Sequence, residues 1–176
     1  MRNAFLLIGL FFLLTSGKKP DVTLGTIELF NKQVSIKIPA AFELMSEGRM
    51  KKVYNSAVQP DLAYSNMSKD VRIAFDAEAI ASKESGIPML TIRFEKILKK
   101  LHPNAKWKDQ GVKVINGHKV GLIEYINKKP NKFYELLFFT SYKGQLLSCT
   151  FHAPKKGHRP WKKIAHEIMQ SLTIKK

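Results

Sequence analysis

The residues able to do chemistry are few, and their spacing suits no familiar site. His166-Glu167 opens an H-E-x-x-H pattern on a helix, in which two imidazoles one turn apart would hold zinc and the glutamate would act as general base. The fifth position is Gln170, so the second imidazole is missing. Cys149, His152 and His158 are the other potential ligands, but Cys149 and His152 lie three apart on a predicted strand, which sends them to opposite faces. His102 and His118 fall beside a helix end and a turn. Residues 99–176 contain only four carboxylates, Asp109, Glu124, Glu135 and Glu167, which leaves acid–base hydrolysis little to draw on. No Gly-rich phosphate loop and no G-x-S-x-G nucleophile elbow is present. Residues 143–145 (KGQ) begin like an RNA-binding sheet motif, but Leu146 and Leu147 stand where stacking aromatics would be needed. The expectation is a protein with no catalytic residue, no cofactor and no metal site, and with a partner other than nucleic acid.

Charge is the feature that remains. The chain has 176 residues, 30 Lys+Arg and 14 Asp+Glu, for a formal net charge of +16. The excess is uneven, since residues 99–176 hold 17 basic and 4 acidic side chains. Hydrophobic residues make up 44%, an ordinary globular share that excludes collagen-like, mucin-like and wholly disordered chains. One cysteine excludes a disulfide scaffold.

The elements that must position these charges follow from periodicity. Residues 33–38 alternate, with Val34, Ile36 and Ile38 on one face. Residues 62–66 and 71–76 read as a hairpin, and 77–88 as a surface connection with Gly86 and Pro88 as breakers. Residues 89–101 read as a helix whose stripe is Leu90, Phe94, Ile97, Leu98 and Leu101. From residue 106 a β-meander is expected: 112–115, 119–127, 132–142 and 145–153, turned at Asn116-Gly117, 128–131 and Lys143-Gly144. The third of these strands is apolar on both faces, so both must be covered, by helices. One cover is the final helix, 160–172, with the stripe Trp161, Ile164, Ala165, Ile168, Met169 and Leu172. In a meander the turn at 128–131 and the end of the strand 145–153 lie at the same end of the sheet. Lys128, Lys129, Lys132, Lys155, Lys156, Arg159, Lys162 and Lys163 therefore converge there, with Asp109 the one carboxylate expected nearby. Three of them stand at the N-terminus of the last helix, an electropositive end where cations are unfavourable.

The N-terminus carries an address. Arg2, an eleven-residue apolar run over 4–14 and the small residues Thr15-Ser16-Gly17 have the layout of a secretory signal peptide. The run is short for a membrane span, which needs about 20 residues. Residues 1–17 are expected to be removed on export to the periplasm or beyond, leaving a single domain over 18–176; an uncleaved N-terminal anchor in the inner membrane is the alternative.

With Val34–Pro39, Phe42, Val53-Tyr54, Leu62-Ala63-Tyr64 and Asn66 in the first half, the chain resembles the PsbP-like superfamily and its bacterial DcrB-like members. The second half adds Val112, Asn116-Gly117, Tyr134, Trp161 and Ser171-Leu172 to the resemblance. It implies an α+β fold: an α-β-α sandwich around a central antiparallel sheet that ends in the meander and is flanked by helices. It implies extrinsic or accessory subunits and binding proteins rather than a shared catalytic site. Most matched positions are core positions, so they carry architecture and not activity. The expected function is an exported binding or accessory protein that recognises an acidic protein, an anionic lipid or an acidic glycan through the basic end of its sheet. A periplasmic chaperone or accessory subunit that holds apolar segments in a groove between sheet and helix is the second reading. The oligomeric state is left open.

Overall fold

A computed structural model describes residues 22–54, 59–68 and 70–175. The signal-like segment lies outside the described residues. The order of elements is β1 (Leu24–Leu29), β2 (Val34–Pro39), β3 (Glu43–Leu44), α1 (Glu47–Val53), β4 (Leu62–Ser65), β5 (Arg72–Ala81), α2 (Ile87–Leu101), β6 (Lys106–Ile115), β7 (His118–Asn127), β8 (Phe133–Tyr142), β9 (Gln145–Pro154), α3 (His158–Gln170) and β10 (Thr173–Ile174). The fold is α+β, with an antiparallel seven-stranded sheet, order β3-β4-β5-β9-β8-β7-β6, and a small sheet, β1-β2-β10.

The meander forms as its turns dictate. Asn116-Gly117 and Lys143-Gly144 all have positive φ, the conformation of tight two-residue hairpins, and they set the registers Ile115↔His118 and Tyr142↔Gln145. The predicted surface connection over 77–88 is corrected. Strand β5 runs on to Ala81 because β9 is long enough to pair with it, from Arg72↔His152 to Ala81↔Gln145.

The two faces of the large sheet are covered differently. On one face, Val120, Leu122, Leu136, Phe138, Cys149 and Phe151 pack with Ile164, Ala165, Ile168 and Met169 of α3 and with Val34, Ile36 and Ile38 of β2. That layer is a helix and a second sheet side by side, where helices alone were expected. The last helix begins at His158, two residues early, which makes Pro160 its third residue; it is tolerated because the first four N–H groups of a helix lack intrahelical partners.

The opposite face carries α1 and α2. Met45, Ala63 and Ala74 pack with Met50 and Val53 around α1. Ile87, Phe139 and Leu146 pack with Leu90 and Phe94 around α2. The expected α2 stripe is turned. Thr91 is buried, whereas Ile97 and Leu101 are 51% and 65% exposed. The cause is Gly121 on β7, where an added Cβ would lie 2.5 Å from both Thr91 Oγ1 and the Phe139 ring. The helix settles onto that glycine, and Thr91 satisfies its hydroxyl by donating to the Ile87 carbonyl at 2.9 Å. Among the described residues, no helix is long and apolar enough to cross a membrane.

Candidate functional site

Two basic turns meet at one end of the large sheet. Phe133 pairs with Pro154 where β8 begins and β9 ends. Just beyond, the Lys155 N–H donates to the Lys132 carbonyl at 3.1 Å. The turn between β7 and β8 is braced by Asn127, whose amide donates to the Asn131 carbonyl at 2.7 Å. The start of α3 is pinned to the same place: the His158 ring stacks on Tyr134 at 5.7 Å, and its Nδ1 lies 2.6 Å from the Lys155 carbonyl. Lys128, Lys129, Lys132, Lys156 and Arg159 are exposed and Lys155 is half-buried. Among the described residues none of these six has a carboxylate within salt-bridge distance, and α3 has no acidic residue in its first turn and no side-chain cap.

Lys162 and Lys163 differ from the other six. Lys163 makes an exposed pair with Glu167, at 3.5 Å. Lys162 turns inward and reaches Glu124 of β7 at 3.0 Å. Glu124 is fully buried, and His166, one turn further along α3, also meets it at 3.2 Å. Burial works to raise the Glu124 carboxyl, but the hydrogen bonds from His166 and Lys162 and the Lys162 charge outweigh it and hold the group below the usual carboxylate range. The expectation that Asp109 would be the nearby carboxylate is therefore corrected. Asp109, the register partner of Glu124 on the edge strand, is held by Lys113 at 3.0 Å, and Glu124 is the acid that reaches a cation of the cluster, Lys162. His166-Glu167, read above as a failed zinc pattern, has one half of a structural ion cluster in it.

The other face holds a row that periodicity did not reveal. Trp107, Tyr125, Glu135, His152 and Arg72 are successive register partners across β6, β7, β8, β9 and β5. The Tyr125 hydroxyl donates to Glu135 Oε1 at 2.5 Å, and Glu135 Oε2 lies 3.3 Å from His152 Nδ1. Burial, together with the Glu135 charge, pushes the Tyr125 phenol up. Phe133 stacks on His152 at 4.9 Å, and the Arg72 guanidinium sits over the Tyr54 ring at 5.7 Å. Further along β5, Asp76 is pushed up to about 6 by burial and by the charges of Asp61 and Glu78. A carboxylate inside an otherwise apolar strand was the available signal for both Glu124 and Glu135, since a buried charge requires a partner.

Cys149 and His152 do face opposite ways, Cys149 into the α3-side core, where burial pushes its thiol up. The space between α3 and the sheet is filled by the α3 side chains, so the expected apolar groove is not between those two layers. An apolar depression of about 550 Å³ lies instead where α3 presents Trp161 to Val22, Pro39, Phe42 and Met67.

No family model and no curated protein matches the sequence. Solved structures do match the fold. The cyanobacterial PsbP (CyanoP) of Synechocystis sp. PCC 6803 superposes with a TM-score of 0.63 at 14% identity, over 92% of this chain and 98% of that one. The Ran-binding protein Mog1p of Saccharomyces cerevisiae superposes with a TM-score of 0.56 at 11% identity, over 87% and 96%. A Pseudomonas aeruginosa protein of unknown function, PA94, gives 0.50 at 14% identity, over 87% and 98%. The chain has the PsbP-like fold.

Proposed function

We propose that this protein is an exported, non-catalytic accessory protein, one domain over residues 18–176, that docks an acidic protein through the basic end of its sheet. The observation that carries the reading is the hydrogen bond between the Lys155 N–H and the Lys132 carbonyl, which joins two lysine-bearing turns into one surface. Six cations then share that surface: Lys128, Lys129, Lys132, Lys155, Lys156 and Arg159. Lys162 and Lys163 border it with their charges already partnered. Arg159 adds its charge at the electropositive end of α3, an arrangement that a bound anion relieves. Mog1p, of the same fold, is a Ran-binding protein, which favours a protein partner over a lipid or a glycan.

The test compares wild type with a Lys155→Glu, Lys156→Glu, Arg159→Glu variant on poly-glutamate and on anionic and neutral vesicles. A control variant reverses Lys32, Lys37 and Lys52, which lie in the turn before β2, on β2 and on α1 respectively. Binding of poly-glutamate is expected to fall on the order of a hundredfold in the first variant, about 1 kcal/mol per cation, and to fall steeply with salt. Equal losses in both variants would reduce the effect to net charge. Binding to anionic vesicles but not to poly-glutamate would replace the protein partner with a lipid surface.

A further inference from the structure

Strand β6 is the outer strand of the seven-stranded sheet, paired with β7 and, among the described residues, with nothing on its other side. Such an edge presents a row of unpaired N–H and C=O groups, and proteins ordinarily blunt it with short strands, charges, bulges or a covering element. β6 is ten residues long, and its blunting is heaviest in its first half. Lys106 and Lys108 are exposed, and the register slips between Trp107 and Asp109. The second half is open, and its one charge, Lys113, is drawn back along the strand to Asp109 at 3.0 Å. Val112 and Val114 are 38% and 72% exposed. Ile92 of α2, 67% exposed, follows Thr91, which rests over Gly121, the register partner of Val112. Exposed apolar side chains gathered beside an unpaired edge mark an interaction surface more often than isolated ones do.

The first half of β6 abuts the basic end of the sheet. Lys106 pairs in register with Ile126, two residues before Lys128. Lys106, Lys108, Lys128 and Lys129 are all exposed. Asp109, the carboxylate on this strand, is already held by Lys113. The edge therefore has a cationic end and an apolar end.

We propose that the β6 edge receives an extended segment of the acidic partner as an eighth strand. The segment is apolar where it lies along Val112, Val114 and Ile92, and acidic where it lies along Lys106, Lys108, Lys128 and Lys129. The proposal rests on the acidic-partner reading above and adds where and in which direction that partner binds. Antiparallel pairing is the slightly more stable geometry, and the rest of this sheet is antiparallel. Because β6 runs from its cationic end to its apolar end, an antiparallel guest reads apolar first and acidic last. Successive guest side chains alternate between faces, so every second apolar residue lies on the Val112 and Val114 side. A second copy of this chain is the poorer guest, because paired antiparallel it would set its own Val112–Val114 end, not carboxylates, against Lys106 and Lys108, and it carries a net charge of +16.

The experiment uses the mature protein and a synthetic ten-residue peptide, alternating Val and Thr over its first half and Asp and Glu over its second. The same composition reversed, and scrambled, serves as control. Affinity is read by fluorescence anisotropy, and the contact by amide hydrogen exchange. The forward peptide is expected to slow exchange of β6 amides and to bind about tenfold more tightly than the reversed or scrambled peptide. Val112→Ser with Val114→Ser is expected to remove that preference while poly-glutamate binding is retained; unchanged exchange in β7–β9 verifies the fold. A second variant, Lys106→Glu with Lys108→Glu, is expected to weaken the forward peptide without touching the apolar half.

Equal binding of all three peptides, or no slowing at β6, overturns the proposal even if poly-glutamate still depends on Lys155, Lys156 and Arg159. Loss of poly-glutamate dependence on those three residues overturns the acidic-partner reading itself. Slowing at β6 that grows with protein concentration and needs no peptide overturns the choice of guest, by showing that two copies pair.

Discussion

Glu124 and Lys162 are 38 residues apart in the chain and meet at 3.0 Å, the carboxylate fully buried on β7 and the ammonium half-exposed on α3. Together with His166 they tie the last helix to the sheet by charge as well as by its apolar stripe. The Glu124 carboxyl is held below its ordinary value. Its contribution to stability is therefore complete above the unfolded value of about 4.3 and is lost as the pH falls through the lower folded value.

Lys162→Met is expected to destabilise the protein by about 1.5–3 kcal/mol near pH 7, the range for a hydrogen bond to a charged group. The deficit is expected to shrink in acid, as the pH falls through the lowered folded value of Glu124 and the carboxylate protonates. Urea unfolding near neutral pH and in acid measures it. An equal deficit at both would assign Lys162 a packing role and leave the ion pair without consequence.

Gly121→Ala is expected to destabilise by about 1–3 kcal/mol, as overpacking does. The added methyl meets Thr91 Oγ1 and the Phe139 ring. Thr91→Ala in the same chain removes one of the two obstacles, so the double variant is expected to regain part of the loss. Strictly additive effects, measured as urea midpoints, would show that α2 does not rest on this glycine.

Asp76 behaves in the opposite sense to Glu124. Its folded pKa, about 6, lies above the unfolded value of about 3.9, so its stabilising contribution is complete below the lower value and is lost as the pH rises through the higher one. Asp76→Asn is expected to stabilise the protein near pH 7 by about 1 kcal/mol, a figure reduced for solvent screening at a half-buried group. Near pH 3.5 the same substitution is expected to be neutral. Stabilisation of equal size at both pH values would trace the gain to something other than a carboxylate disfavoured by burial and by Asp61 and Glu78.

The reading of residues 1–17 as a signal peptide predicts that protein recovered from the envelope begins near Lys18 and stays in solution without detergent. Intact mass decides it. Retention of Met1 on protein that requires detergent would support the anchored alternative.

Much of the architecture was legible in the sequence because it depends on local rules. Asn116-Gly117 and Lys143-Gly144 are tight hairpin turns, and with the turn at 128–131 between them they impose the order β6-β7-β8-β9. The stripe from Trp161 to Leu172 announced a helix on a core. The convergence of the Lys128–Lys132 and Lys155–Lys156 segments followed from strand direction alone, and the bond from Lys155 to Lys132 now gives that convergence its contact. Tertiary structure decided what alternation does not encode: which strand meets which across long separations. β5 pairs with β9 and β2 pairs with β10 because those edges were left free to bury apolar faces, and no short-range signal specifies either partner. The same is true of charge. Strand order placed Lys162 among eight converging cations, but a lysine at the flank of a helix is free or paired according to what lies on the sheet beneath it, and there it found Glu124. Gly121 made the corresponding decision for α2, because the absence of one methyl group let the helix turn, buried Thr91 and left Ile97 and Leu101 in the open.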